Sequence, residues 1–248
     1  GFPVGNAAVQ RVRSTYKAVQ LAGFTPLIIN KQSLHKQVSY TKKVNRFDGL
    51  IFIDTSPVLT KPNSFIKRNI NKILGLIAEF RLLYNRRKKI KAVIAYTASF
   101  YELVYYKIVS KIFGFKLVMQ YVELRSSVAE RDSFFTKIND RLFDRYCHNF
   151  CDGVIAISEF LKEQIQKNRP GLPIIKIPSI CDFQDFEQFE AAKVDYKYYL
   201  YCGTIYYTPV IEFVLNFFEK VKDQHLYDGK IVFIISGGER KHYVAVEE

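Results

Sequence analysis

Residues Lys91 to Leu124 read KAVIAYTASFYELVYYKIVSKIFGFKLVMQYVEL, and the fold turns on how this stretch is read. KAVIAYTAS is an apolar run of strand length, FYELVYYKIVSKIFG has the length of a helix, and KLVMQYVEL is a second apolar strand. Strands without polar alternation are those covered on both faces. Two of them joined by a helix predict a β-α-β unit in a parallel sheet.

The same rhythm extends in both directions. Upstream, NAAVQRVRSTYKAVQLAG places Ala8, Val12, Tyr16 and Val19 at helical spacing and ends at Gly23, the residue that favours a left-handed cap. FTPLIIN and FDGLIFIDTS read as strands, and SFIKRNINKILGLIAEFRLLYNRRKK as a long amphipathic helix with a basic end. Downstream come helix SFFTKINDRLFDRYCHNF, strand CDGVIAIS, helix EFLKEQIQKN and strand PIIKIPS. Around ICDFQDFEQFEAAKVDYKYY the alternation gives way to a polar, acidic stretch, after which YLYCGTIYY, TPVIEFVLNFFEKVKDQ and KIVFIISGGER start a second series of strand, helix and strand. This predicts a first Rossmann-like domain over residues 1–190 and the start of a second over 191–248, with ligands bound outside the carboxyl ends of the strands. The Gly1–Gly5 turn at the head of a helix calls for a preceding strand, and two strands make a small core for a second domain, so the sequence reads as cut at both ends.

Composition bounds the function. With 48% hydrophobic residues among 248, the chain can build a sizeable core, while its longest apolar runs, such as GLIFI and KIVFIIS, are far below the ~20 residues that cross a bilayer. No secretory leader is visible at the N-terminus, and a cytoplasmic setting is expected. Of the cysteines at 147, 151, 181 and 202, Cys147 and Cys151 flank His148 in RYCHNFCDG, a set that could supply three metal ligands; a second CxxC or His pair is absent, so buried thiols and no metal are expected. The net charge of +13 is uneven. Residues 1–120 hold 21 Lys and Arg against Asp48, Asp54, Glu79 and Glu102, a balance of +17, and the remainder is mildly acidic. Such asymmetry collects phosphates, nucleic acid or anionic lipid.

The order of these pieces resembles the retaining glycosyltransferases of the glycogen-synthase-like kind, group 1 or family 4, which have the two-Rossmann GT-B fold. Five stretches carry the resemblance. GFPVGNAAVQRVR is similar to the family's glycine loop and Arg-bearing helix start. CDGVIAISEFLK, Cys151 to Lys162, is similar to "aDxVIxxSxxxK". PSICDFQDF, Pro178 to Phe186, matches "iPNGvDxxxF" in part, with Ser179 where Asn is usual and Cys181 beside Asp182. YLYCGTI and FIISGGE are similar to "lYxGxl" and "ivGxG". Two departures stand out. The basic residues that commonly follow "lYxGxl" are replaced by Thr204 and, near the second place, Pro209, and the family's paired glutamates would lie beyond Glu248.

The resemblance implies transfer of a sugar, with retention, from a nucleotide-diphosphate sugar to a polysaccharide or lipid-linked acceptor, without metal or organic cofactor. Leaving-group charge then develops on the diphosphate, where backbone amides at glycine turns and helix N-termini can hold it. Gly203, Thr204, Gly237 and Gly238 stand where such amides are expected, and Gly5 and Asn6, with Arg11 and Arg13 further along the helix, on the facing side. Ser158 reads as a helix N-cap and, secondarily, a lining residue. Glu123 and Arg125, two apart at the end of a predicted central strand, emerge on one side if that strand continues; Glu123 is the candidate acceptor-orienting group or general base and Arg125 its partner or an anion clamp, the alternative being a structural ion pair.

The basic helix around residues 67–91 reads in two ways, as a core helix with a solvated basic side or as a helix lying peripherally on an anionic membrane, each cation adding up to about 1 kcal/mol there. Two rival functions remain. A nucleic-acid-binding protein would use the basic half with its interspersed Tyr and Phe, although no specific nucleic-acid motif occurs. A catalytically inactive scaffold of glycan assembly would explain the missing diphosphate cations.

Overall fold

The computed structural model of the protein describes residues 2–3, 7–31, 44–127, 133–179, 187, 189–190, 194–205, 208–223 and 229–236. The chain divides into two compact units, Gly1–Phe183 and Gln184–Glu248.

The first unit is α/β. In chain order it holds α1 (Ala7–Leu21), β1 (Ile28–Asn30), β2 (Val44–Phe47), β3 (Leu50–Asp54), α2 (Phe65–Arg86), β4 (Ala92–Ala95), α3 (Phe100–Phe113), β5 (Lys116–Tyr121), a 3-10 turn (Arg125–Ser127), α4 (Phe134–Phe150), β6 (Gly153–Ala156), α5 (Glu159–Asn168) and β7 (Ile174–Lys176). Strands β4-β5-β6-β7 form a four-stranded, all-parallel sheet in sequence order. Local chemistry explains the boundaries of its crossovers. Ser99 accepts a hydrogen bond from the Glu102 amide at the start of α3, and Gly114, at φ 77°, closes its end in the left-handed conformation that glycine adopts without strain. Leu117, Met119 and Tyr121 of β5 lie almost fully buried in one cluster with Leu103, Phe143, Cys147, Val154 and Ala156, which makes β5 the spine of the domain.

A second sheet, in the order β1-β3-β2, is mixed: β1 pairs with β3 in parallel and β2 with β3 antiparallel. FDGLIFIDTS, expected to be one strand, is therefore a turn followed by a strand. Asp48 and Gly49 both have positive φ, 51° and 74°, the requirement of a tight two-residue hairpin whose twist matches its strands. Among the described residues β1 and β4 are not paired with each other; helices link the two sheets instead. Ile29 of β1 and Val93 of β4 pack against the same cluster, Leu83 of α2, Val109 of α3 and Phe115. The single doubly wound sheet expected for this domain is thus two sheets in the described residues, joined through side chains.

The second unit, taken by itself, is a β-α-β piece. β8 (Tyr198–Thr204) runs parallel to β9 (Lys230–Ser236), with α6 (Thr208–Asp223) between them in sequence. Tyr199 meets Phe218 of α6 and Tyr201 meets Phe233 of β9, at ring-centroid distances of 5.0 and 5.6 Å. No helix among the described residues is long and apolar enough to cross a membrane.

Candidate functional site

In a parallel sheet every strand delivers its carboxyl end to the same edge, and loops leaving that edge carry the side chains free to meet a ligand. At the tip of β5 the strand stops at Tyr121 and the chain turns into the 3-10 segment Arg125–Ser127, so Glu123 and Arg125 are not on a continuing strand. They meet nevertheless, as an ion pair between Arg125 Nη1 and Glu123 Oε1. Asp144 of α4 fixes the loop from beneath. Its Oδ1 accepts from the Tyr121 hydroxyl at 3.0 Å and from the Arg125 amide at 3.1 Å, and its Oδ2 accepts from the Ser126 amide at 2.6 Å. Burial and the Asp144 charge push the Tyr121 hydroxyl well above its ordinary range, so it remains a neutral donor to that carboxylate.

Arg11 of α1 comes to the same edge and is 7% exposed. Its Nε donates to Gln120 Oε1 at 2.9 Å, and its two terminal nitrogens donate to the Pro178 and Ile177 carbonyls at 2.9 and 2.8 Å. Gln120 in turn donates to Thr15 Oγ1 at 3.1 Å. The guanidinium therefore clamps α1 to the ends of β5 and β7, and Arg11 enters the site as a positioning residue and a source of charge. Burial lowers its pKa, and the tyrosine beside it shows where the charge acts: burial raises the Tyr96 hydroxyl, while Arg11 and Arg125 hold it back. Tyr96, just past β4 and 41% exposed, thus shares one electrostatic neighbourhood with two arginines. Arg13 is engaged elsewhere, donating from Nε to Asp48 Oδ2 in the hairpin turn at 2.9 Å.

Ser158 does what its position after β6 predicts, accepting from the Leu161 amide at 3.3 Å as the N-cap of α5. Gly203 and Thr204 fall differently from expectation. β8 runs through Thr204, with Gly203 opposite Ile235 and Thr204 opposite Ser236, so both lie in the ladder and the turn begins after them. A Cβ at Gly203 would stand 2.7 Å from the Tyr201 hydroxyl, the far end of a side chain that can move aside, so this approach alone does not demand glycine. Gly5, Asn6, Gly237 and Gly238 lie outside the described residues.

A second polar group sits beside β1 and β4. Lys31 Nζ donates to Glu102 Oε2 at 2.8 Å and to the Tyr106 hydroxyl at 2.9 Å, Thr97 Oγ1 donates to the same Glu102 oxygen at 2.6 Å, and the Tyr106 hydroxyl donates to Glu79 Oε1 at 2.7 Å. Glu79 is 3% exposed, and its Oε2 has no hydrogen-bond partner among the described residues. Burial raises its pKa, against the opposing pull of Lys31 and Tyr106.

Cys147 and Cys151 are free thiols with no exposed surface, and burial pushes the Cys151 thiol up to about 11 and Cys147 higher still, which makes both inert packing groups. The backbone oxygens of His148 and Cys151 accept from Arg169 Nη1 at 2.6 and 2.9 Å. Among the described residues no group of three His, Cys, Asp or Glu could hold a metal ion.

Sequence reasoning singled out Glu123, Arg125 and Arg11 but missed Tyr96, Gln120 and Asp144. Gln120 did carry a signal, as the one polar residue inside the run LVMQYV; Asp144 carried none, because its partners lie far away in sequence. No protein-family model and no curated protein matches the chain.

Proposed function

We propose that the protein is a retaining, metal-independent glycosyltransferase of the GT-B kind, moving a sugar from a nucleotide-diphosphate donor to a polysaccharide or lipid-linked acceptor in the cytoplasm. One observation carries the reading. An acid–arginine pair, Glu123 with Arg125, is held by Asp144 at the carboxyl tip of the central parallel strand, with Arg11 and Tyr96 in its electrostatic neighbourhood. That is the edge where open α/β sheets bind ligands, and two guanidinium groups suit an anionic substrate or developing negative charge. In this scheme the anomeric C–O bond to the donor diphosphate breaks as the acceptor oxygen attacks from the same face, and the departing diphosphate takes up the acceptor proton. Glu123 orients the acceptor hydroxyl, Arg125 holds Glu123 in place, and Arg11 keeps the strand tips in register.

The diphosphate needs hydrogen-bond donors of its own in this reading, and the candidates that the sequence offers, Gly237 and Gly238, lie outside the described residues. The side chain of Thr204 contributes no cation. That detail favours the inactive scaffold as the second reading, and one set of measurements separates the two. The protein is screened against nucleotide-diphosphate sugars by thermal shift and then assayed for release of nucleoside diphosphate. The glycosyltransferase reading expects a stabilising donor, turnover, and a fall of about 10²-fold or more in kcat for Glu123→Gln with donor affinity retained. Donor binding without turnover supports the scaffold. Absence of donor binding together with salt-sensitive binding to polynucleotides supports a nucleic-acid partner and overturns both.

A further inference from the structure

We propose that the outward face of α2 is a docking surface for an anionic lipid bilayer. The inward side of this helix is narrow and partly polar, consisting of Gly75, Glu79 and Leu83. Gly75 lets the helix approach β1, because a Cβ there would lie 2.2 Å from the Lys31 carbonyl oxygen. On the other side, Ile66, Ile70, Ile73, Ile77, Phe80 and Tyr84 are 69, 49, 60, 44, 37 and 48% exposed. Their alternating spacing of four and three residues aligns them in one stripe along the whole helix. A helix that faces only water is polar on that side. Here the solvent side is the more apolar one, and a contiguous exposed apolar patch marks an interaction surface. Beside its N-terminal half opens a shallow depression of about 350 Å³, lined by Val58, Thr60, Pro62, Lys67, Ile70 and Asn71.

Charge identifies the occupant. Residues 65–91 contain nine Lys and Arg and a single acid, Glu79, which is buried. Lys67 and Arg81, both exposed, are spaced to follow one flank of the stripe, and Arg86, Arg87, Lys88, Lys89 and Lys91 gather at its end. A second copy seated on the same stripe would bring these cations against one another with no exposed acid on α2 to oppose them. A nucleic acid would engage the cations and leave the isoleucines in water. An anionic bilayer takes both, receiving the apolar stripe at the acyl boundary while phosphate headgroups meet the flanking cations. Tyr84, with the Arg87 guanidinium 4.1 Å over its ring, has the amphipathic form suited to the headgroup level. The inference stands independently of sugar transfer.

The full chain is tested by flotation with vesicles of phosphatidylcholine alone and with about 30% phosphatidylglycerol added. The expected result is recovery with the anionic vesicles about tenfold or more above that with phosphatidylcholine. It should fall to the phosphatidylcholine level in I73E/I77E, whose melting temperature stays near that of the parent because both sites are exposed. The second variant, K67Q/R81Q, tests the electrostatic half without touching the stripe, and its anionic-vesicle binding should weaken and become less salt-sensitive. Equal recovery with both vesicles overturns the proposal. So does anionic-vesicle binding that survives I73E/I77E, or a dimer in sedimentation velocity that this variant abolishes.

Discussion

Arg11 shows how a residue expected to face a substrate can be claimed by the fold. Three of its nitrogens are donors to Gln120, Ile177 and Pro178, so replacing it by Met strands one side-chain oxygen and two carbonyls near the sheet edge. At about 1 kcal/mol for each lost bond, R11M should unfold in urea with about 3 kcal/mol less stability, while Arg11→Lys recovers part of the loss. Glu79 makes a prediction of opposite sign. Burial raises its pKa in the folded protein above the ordinary 4.5, so the folded state holds this proton more tightly than the unfolded chain does. The associated stability is fully present at low pH and is lost as pH rises through the raised value. Glu79→Gln removes that dependence; its melting temperature relative to the parent should therefore improve from pH 4 towards pH 7. A difference that stays flat across this range would mean that the carboxylate ionises normally in the folded state.

At the scale of elements, α2 is the most informative piece. Its 22 residues contain one glycine, a placement that lowers helix propensity and needs a structural reason. The reason is contact: Gly75 lies against the Lys31 carbonyl, so Gly75→Ala, stabilising in an open helix, should here cost about 2 kcal/mol or more in chemical denaturation. Element types were legible in the sequence because each signal is local. Ser99 and Gly114 bracket α3, Ser158 opens α5, and the unbroken apolar run of β5 announces a covered strand. The signal of the hairpin at Asp48–Gly49 is equally local, an Asp-Gly pair between β-forming residues, but the apolar run that follows dominates the window and masks it. The direction faced by α2 was not legible. An apolar stripe says that a helix has an apolar side, and only its neighbours determine whether that side is covered.

For the whole molecule, burial is uneven. The first unit holds three buried clusters, the largest around β5 and β6, whereas the buried hydrophobic residues described in the second are Ile205 and Ile211. Protection should follow core size. In hydrogen exchange under increasing denaturant, amides of β8, α6 and β9 should exchange first and those of β5 and β6 last; simultaneous exchange would mean that both units unfold as one. The charge asymmetry belongs to this scale as well. The excess of +17 in residues 1–120 includes the nine cations around α2, and it coincides with the exposed stripe that a membrane surface would cover.

The amino-acid sequence by itself determined the alternation of strands and helices, the parallel character of the main sheet, the caps and the break between two series, since all of these follow from periodicity and from residues within a few positions of each other. It singled out Glu123 and Arg125 as a candidate pair, but on the premise of a continuing strand, whereas β5 ends at Tyr121 and the two meet across a turn. Tertiary structure alone decided that Asp144 holds their loop, that Arg11 clamps the strand tips, that Glu79 is buried and that the apolar side of α2 faces outward. The physical reason is distance along the chain: Arg11 reaches Ile177 and Tyr106 reaches Glu79 only after the sheet and helices have brought them together, and no local pattern encodes a contact whose partner is set by packing.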